Sequence, residues 1–571
     1  MTCHLSTSDQ IGGSHLSVQS KARTAATRGK DMYFIVAPLT SETSDSQFVF
    51  FDYDCGSVVG RAMTSVRKSG ATLRTAKWLA GGNATVILFD LESSAWALEP
   101  CRAELVDSSD ICIPEEDAEM RRAAIFGYVV AELIGHCRRE AAGGGGWTRR
   151  VVAHFHGWSA SLALILLRKR GVNAGTVYTT HGSQMARDLC ANYADFHNDV
   201  TSCDFDDAAR KLGLGHRHHA EKVAASMAHV LTAVSDVSAI ETQYLLQRRP
   251  DYVTCNGLDL ASYLPAEQLD RFHAAGKAKI HQLIRQHLDV NFDLTRTQYY
   301  FFASRFQSCN EGADIFVESL ARLNHALKDT GSKETVVAFF ILPSENVKST
   351  GNAHCPLHSG PRSLSSILIL ITDPDPDLRS WSFSWMPILH VTGADDEAAI
   401  LDDLKRCNLL NHDEDRVRII VRPNLNFSTG DGRWLHWQEF LVGCHLSVLP
   451  SYYEPWGHTA AECIVHGVPT VTTNCSGFGR FMEETHQGDH LHENGVFIVD
   501  RRYKSVEESV CQLAQWMLHL NQLDHNQRSR LRSRVRRLAT LLDWNVLYDR
   551  YLQARQTAID RNELANGFDA L

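Results

Sequence analysis

Apolar residues along this chain fall into two kinds of run. The first kind is short, nearly unbroken and rich in β-branched and aromatic side chains: MYFIVAPL, ATVILFDL, RVVAHFHGW, AGTVYTTH, HVLTAVS and DYVTCNG, then QYYFFASRF, TVVAFFILP, VRIIVRP, HLSVLPS, PTVTTN and GVFIVD. The second kind lies between these runs and repeats with helical spacing. Continuous apolar strands separated by helices imply parallel sheets covered on both faces. The two series are separated by a polar, lysine-rich helical stretch. The pattern therefore predicts an α/β chain of two Rossmann-like domains facing a central cleft, with the boundary near Leu258 to Tyr263. Residues 1–260 form the first domain and 261–540 the second, and a helix in 541–571 packs back across them. A ligand belongs outside the carboxyl ends of the strands, in the cleft.

Two stretches interrupt the pattern. AAGGGGWTRR reads as a flexible surface loop. The polar, turn-rich segment after Leu342, about 343–385, reads as an irregular insertion.

Composition narrows the class. The chain has 571 residues, enough for more than one full core. Its net charge of -10 argues against a nucleic-acid-binding protein, while leaving room for a local basic site. The 15 cysteines show no CxxC pairing and read as reduced thiols. No apolar run is long enough to predict a membrane span, so a cytoplasmic protein is expected. The 28 histidines include GHRHHAEK and HQGDHLHENG; neither matches a zinc spacing, and both read as solvated surface.

The candidate chemistry sits at strand ends. After HLSVLPS comes SYYEPWGHTAAECIVHG, which predicts a turn and then a helix with Thr459 near its start and Gly467 at its stop. Glu454 falls in the turn and Glu462 in the first turns of the helix, so both can face one cleft. On spacing alone, Glu462 is equally open to a local cap or ion pair. Backbone N–H groups at the helix start suit an anion. His154 and His156 share one strand face. His181, Arg187 and Arg305 follow other strand ends, and together these groups suit an anionic sugar substrate. In HNQRSRLRSRVRRL, Arg528, Arg532 and Arg536 share one helix face, and Arg530, Arg534 and Arg537 the other. A solvated basic face and an anion site both fit that segment.

These blocks resemble the eukaryotic, UDP-glucose-dependent glycogen (starch) synthase family. The similarity is carried by SYYEPWGHTAAECIVHGVPTVTTNCSGFGRFMEE, AHFHGW, YTTHGSQMARDLC, FQSCNEGADIFVESLARLN, DRRYKSVEESV, LLDW and the Gly-Gly segment DQIGGSHLSVQSKA, in the family's order. The resemblance implies a type-B glycosyltransferase fold and metal-free transfer of glucose, with retention, from UDP-glucose to the 4-OH of an α-1,4-glucan end. It implies that Glu454 lies against the donor glucose and Glu462 on the nucleotide side, that Arg305 and Arg187 are active-site arginines, and that His181 is the histidine beside the glucose. Gly12, Gly13 and Thr459 approach the donor phosphates. The family's glucose-6-phosphate site maps onto His273, Lys277, His445, Arg528 and Arg532, the last two within an arginine-rich regulatory helix about 526–540. Expected partners are a glycogen or α-1,4-glucan primer, a priming protein and further copies of the chain as a homo-oligomer; no nucleic acid, membrane, cofactor or metal is expected.

The chain departs from the family at several positions. Glu311 stands where the family has a phosphate-binding lysine. Gly157 replaces a glutamate, and Ser14 and His15 replace bulkier residues. His458 and Ala460 replace tyrosine and proline. Two readings follow: an active, glucose-6-phosphate-responsive synthase, or a catalytically weakened or inactive paralogue that binds glucan or sugar phosphate. Glu311 and Gly157 favour the second; the retained Glu454, Glu462, Arg305 and Arg187 favour the first.

Overall fold

The computed structural model describes residues 2–4, 13–29, 32–39, 47–142, 150–192, 196–263, 265–288, 290–303, 308–342, 395–422, 427–428, 434–486 and 490–568. The glycine-rich loop, Arg305, Gly12 and the insertion after Leu342 lie outside the described residues.

Each strand series forms its own sheet. The first comprises β1 (Thr2–His4), β2 (Phe34–Leu39), β3 (Phe48–Phe50), β4 (Thr72–Trp78), β5 (Ala84–Asp90), β6 (Val152–His156), β7 (Gly175–Thr180), β8 (Val230–Ala233) and β9 (Tyr252–Val253). They lie in the order β3-β4-β5-β2-β1-β6-β7-β8-β9. The second comprises β10 (Thr297–Ala303), β11 (Thr335–Ile341), β12 (Val417–Arg422), β15 (Leu446–Val448), β16 (Thr470–Thr473) and β17 (Val496–Val499). It is wholly parallel, in the order β12-β11-β10-β15-β16-β17. A short antiparallel ribbon of β13 (Phe427–Ser428) and β14 (Trp434–Leu435) stands apart.

The unbroken apolar runs have the physical cause expected of them. Along β10, Tyr300 and Phe302 enter one core while Tyr299 and Phe301 enter another on the opposite face. Both faces are covered, so alternation vanishes. Strands β3 and β4 were not anticipated. They pair antiparallel at the edge of the first sheet. β4, TLRTAKW, alternates exposed and buried positions over its first half because one face meets water.

Strand order locates the functional ends. In the first sheet the order reverses between β1 and β6, and in the second between β10 and β15. Such switch points open a crevice at the carboxyl ends of the strands. β6 ends at His156, and β15 leads into the Glu454 turn.

The final helix, Trp544–Phe568, lies on the first sheet. Trp544, Tyr548 and Tyr551 share a core with Val18 and Ala22 of the helix Gly13–Gly29. The chain enters it from Leu542, beside Leu258, whose N–H donates to the Leu542 carbonyl at 2.7 Å. A Cβ on Gly257 would lie 2.7 Å from that same oxygen, so the crossing requires glycine.

One histidine expected at the surface is not there. His218 is buried, 3.4 Å from Asp206, and burial pushes its pKa down to about 4. Its helix, Gly215–Met227, packs that position inward beside Ala220 and Ala224. Among the described residues, no helix is long and apolar enough to cross a membrane.

Candidate active site

The turn after β15 is held from both sheets. Within its own half, Gly477 N–H donates to the Glu454 carbonyl at 2.9 Å, and Glu454 and Ser476 form a parallel bridge. From the other half, the Ser235 hydroxyl donates to the Pro455 carbonyl at 2.6 Å and the Tyr453 phenol donates to Glu241 Oε1 at 3.0 Å. Gly182, at φ +90°, packs so closely that a Cβ there would lie 2.3 Å from Pro455 Cγ and 2.7 Å from the Tyr453 oxygen. The residue after His181 therefore touches the Glu454 turn directly. Ser17 Oγ and His458 Nε2 meet at 2.9 Å, joining the helix Gly13–Gly29 to the start of the helix His458–Val465. His458 thus supplies a polar contact between the two halves.

Glu454 and Thr459 line one cleft with Glu311, Ser451, Gly457 and Ser476, about 350 Å³ counted to its open mouth. The helix begins at Gly457, at φ +110°, and its first N–H groups have no partner inside the helix. They and the dipole favour negative charge beside Thr459. Glu454 is half-buried, with the Trp456 N–H 3.4 Å from Oε1. Glu462 lies one turn further along. Its Oε2 accepts from the Trp437 indole at 3.3 Å, and it does not line the cleft with Glu454.

On the facing sheet, β6 and β7 deliver a histidine cluster. His156 Nδ1 and His181 Nε2 are 2.9 Å apart. His154 stacks on His156 with ring centroids 4.3 Å apart, and its Nε2 meets Thr179 Oγ1 at 2.6 Å. Arg187 lies in the helix Gln184–Asn192, its guanidinium 5.9 Å from the Tyr453 ring centroid. The Arg187 carbonyl accepts from Asn310 Nδ2 at 2.9 Å, which ties the segment of Glu311 to that of Arg187. Gly13 opens the helix Gly13–Gly29. Gly157 sits at φ +74°, a backbone region that glutamate rarely adopts, with open space where a Cβ would point. The Tyr453–Glu241 link was missed from sequence, because nothing local joins residues so far apart.

A second cluster forms behind the second sheet. The helix Leu269–His287 presses on the helix Trp437–Gly443 so closely that a Cβ on Gly276 would lie 2.5 Å from the Glu439 carbonyl oxygen. That approach sets His273 against His445, rings 5.0 Å apart, with His273 Nδ1 2.8 Å from the Val442 carbonyl. The arginine helix, His525–Leu538, brings Arg528 and Arg532 to the same place, and both line a cleft of about 280 Å³ with His445. Arg530, Arg534 and Arg537 face solvent, as the helical spacing predicts. Burial, then Arg528 and Arg532, push Lys277 down to about 8; burial, then Arg532, push His273 down to about 3. Positive charge gathered this way, with histidines kept neutral, is suited to an anion. One carboxylate already sits at its edge: Arg532 donates to Asp270 Oδ1 at 2.8 Å, and Ser529 donates to Oδ2 at 2.9 Å.

Comparison with known proteins identifies the family. A family model described as "Glycogen synthase" matches residues 3–354 and 382–567. Glycogen [starch] synthase isoform 1 of Saccharomyces cerevisiae is 35% identical over 603 residues, covering 97% of this chain and 84% of the yeast protein. The liver glycogen [starch] synthase of Rattus norvegicus is also 35% identical, covering 97% of this chain and 82% of its own. Among solved structures, the catalytic domain of starch synthase IV from Arabidopsis thaliana aligns with TM-score 0.54 at 13% identity, over 98% of this chain and 99% of that one. An α,α-trehalose-phosphate synthase from Burkholderia vietnamiensis aligns with TM-score 0.51 at 10% identity, over 98% of each. At such identities the structures speak for the fold alone, which is that of type-B glycosyltransferases. With the family model spanning nearly the whole chain and two glycogen synthases matching along its length, this protein belongs to the glycogen synthase family and is a glycosyltransferase of that family.

Proposed function

We propose that the chain transfers glucose from UDP-glucose to the 4-OH at the non-reducing end of an α-1,4-glucan, with retention of configuration, under control of glucose-6-phosphate. The observation that carries this reading is the cleft shared by Glu454 and the helix start at Thr459. A carboxylate there meets a sugar that gains positive charge, and a helix start meets a diphosphate that gains negative charge. Arg187 and Arg305 supply cations for the departing diphosphate. His181 lies beside the glucose and Glu462, with Trp437, on the nucleotide side. Gly12 and Gly13 approach the phosphates. The departing phosphate itself takes the acceptor proton on the front face, so Glu454 stabilises charge without forming a bond.

In this reading residues 1–260 bind the acceptor and 261–540 the nucleotide sugar, with 541–571 as a brace. The cluster of His273, Lys277, His445, Arg528 and Arg532 takes the phosphate of glucose-6-phosphate. Its support is the cleft lined by His445, Arg528 and Arg532, with His273 packed on His445 and Lys277 close enough to Arg528 and Arg532 to feel their charge. A cytoplasmic location, a glucan primer with a priming protein, and assembly into a homo-oligomer complete the proposal. The test is incorporation of labelled glucose into glycogen from UDP-glucose, with and without glucose-6-phosphate. Incorporation that the effector stimulates is expected. Absence of incorporation from UDP-glucose under both conditions overturns the donor assignment.

A further inference from the structure

Glu454 is held on both sides by one helix of the other half. Tyr453, the residue before it, donates its phenol to Glu241 Oε1 at 3.0 Å. Pro455, the residue after it, accepts from the Ser235 hydroxyl at 2.6 Å. Ser235 caps the helix Asp236–Leu245, and Glu241 lies about 9 Å further along the same axis. Ser235, Glu241 and Tyr453 are all buried. Tyr452, one residue earlier, is tied to its own half instead: its phenol donates to Asp314 Oδ2 at 2.7 Å and its N–H to the Asn310 carbonyl at 2.7 Å. Of the run from Tyr452 to Pro455, Glu454 alone lines the cleft.

A buried carboxyl and a buried phenol are a costly way to join two halves, since an aliphatic pair of the same shape would do so with no polar group to desolvate. What the polar pair adds is direction. Burial pushes the Glu241 carboxyl up to about 8, so at neutral pH it is mostly protonated and accepts from Tyr453 as a neutral group. The bond fixes where the Tyr453 oxygen lies, and the Ser235 bond fixes the Pro455 carbonyl. Glu454 sits between these two points, so its backbone has little freedom left. Fully made polar contacts of this kind specify one arrangement where apolar packing tolerates several.

We infer that Glu241 is a positioning residue for glucosyl transfer: through Tyr453 it sets the Glu454 carboxylate against the sugar, while Ser235 holds the other side of the turn. The inference rests on the reading of Glu454 as the carboxylate beside the donor glucose. Glu241 touches no substrate and acts on geometry alone. A displacement of about 1 Å at a reacting centre can cost on the order of a hundredfold in rate. Ser235 also caps its helix, so its removal would disturb more than the turn, and the Tyr453–Glu241 bond is the arm to test.

Tyr453→Phe on the full chain removes one oxygen and keeps the ring stacked on His197, centroids 5.8 Å apart, and beside Arg187. It should lower kcat for transfer to glycogen about tenfold or more, while KM for UDP-glucose and the calorimetric Kd for UDP move by no more than about twofold. Glu241→Leu should lose a similar factor. Glu241→Gln still accepts from Tyr453 and should recover most of it. In the Glu241→Leu background, Tyr453→Phe should cost nothing further, because the bond is already gone. Wild-type kcat in Tyr453→Phe, a loss carried by KM instead of kcat, two losses that multiply, or equal losses in the Leu and Gln variants overturn the inference. If Glu241→Leu does not fold, Tyr453→Phe and Glu241→Gln carry the test: a loss in the first and near-wild-type kcat in the second are expected, and equal kcat in the two overturns it. Glu454→Gln separates the two levels. Full turnover there defeats the reading of Glu454, whereas loss there with wild-type kcat in Tyr453→Phe defeats only the role of Glu241.

Discussion

Glu311 Oε2 accepts a hydrogen bond from the Ser451 hydroxyl at 3.2 Å, and both residues line the cleft of Glu454. The carboxylate of Glu311 therefore faces the cleft. Beside a departing diphosphate it is unfavourable by about 1–3 kcal/mol in a partly screened cleft. Glu311→Lys should lower KM for UDP-glucose, raise kcat, or both. Titration of both proteins with UDP-glucose at one salt concentration is the check, and identical curves reject the effect.

Glu454→Gln removes the carboxylate charge while keeping its shape. Glucose transfer should fall below detection, because the positively charged sugar loses its partner, while UDP binding persists. Calorimetric UDP titration beside the incorporation assay decides it. Lost UDP binding with residual transfer would assign Glu454 to the nucleotide instead.

Glu241 offers a pH test of the contact between the two halves. Burial pushes its carboxyl up to about 8. A group whose folded pKa is raised gives stability that is full below the unfolded value, near 4.5, and is lost as pH rises through the folded one. Burial instead holds His218 and His273 near 4 and 3, so their contribution to the pH dependence of stability is confined to below about pH 6.5. Between pH 7 and 8, above the range of Glu221, which burial holds up to about 7, the wild-type chain should therefore lose stability through Glu241. Glu241→Gln, which still accepts from Tyr453, should flatten that slope in denaturant titrations. An unchanged slope removes Glu241 as its source.

In the arginine cluster, Asp270 pairs with Arg532, which the proposal assigns to the effector phosphate. Asp270→Asn should shift half-maximal stimulation to glucose-6-phosphate concentrations up to about fivefold lower, the range of a partly exposed ion pair. Arg528→Ala with Arg532→Ala should bring the ratio of activities with and without effector to about 1. Stimulation that survives the double change places the effector elsewhere.

Legibility from sequence followed how local each cause is. The twelve apolar runs were readable as strands because burial on both faces leaves a continuous signature. The edge strands β3 and β4 were not, since one is three residues long and the other is half wetted. Glu454 and Thr459 were legible as neighbours because five residues and one turn separate them. The Tyr453–Glu241 and Lys21–His156 contacts were not, because they join segments 212 and 135 residues apart with no shared periodicity. Glu462 looked like a companion of Glu454, yet a helical turn carries it toward Trp437.

The final helix has a consequence for how the molecule is made. A ribosome delivers the strands of the first sheet early, yet one face of β6, β7 and β8 waits for Trp544–Phe568. Val177 and Val230 share a small core with Ala554 and Ala558, more than three hundred residues later in translation. At about 5–20 residues per second, the nascent first sheet spends on the order of a minute with that apolar face uncovered. The half that emerges first is thus the last to be finished, and it is a natural client for a chaperone throughout synthesis of the second.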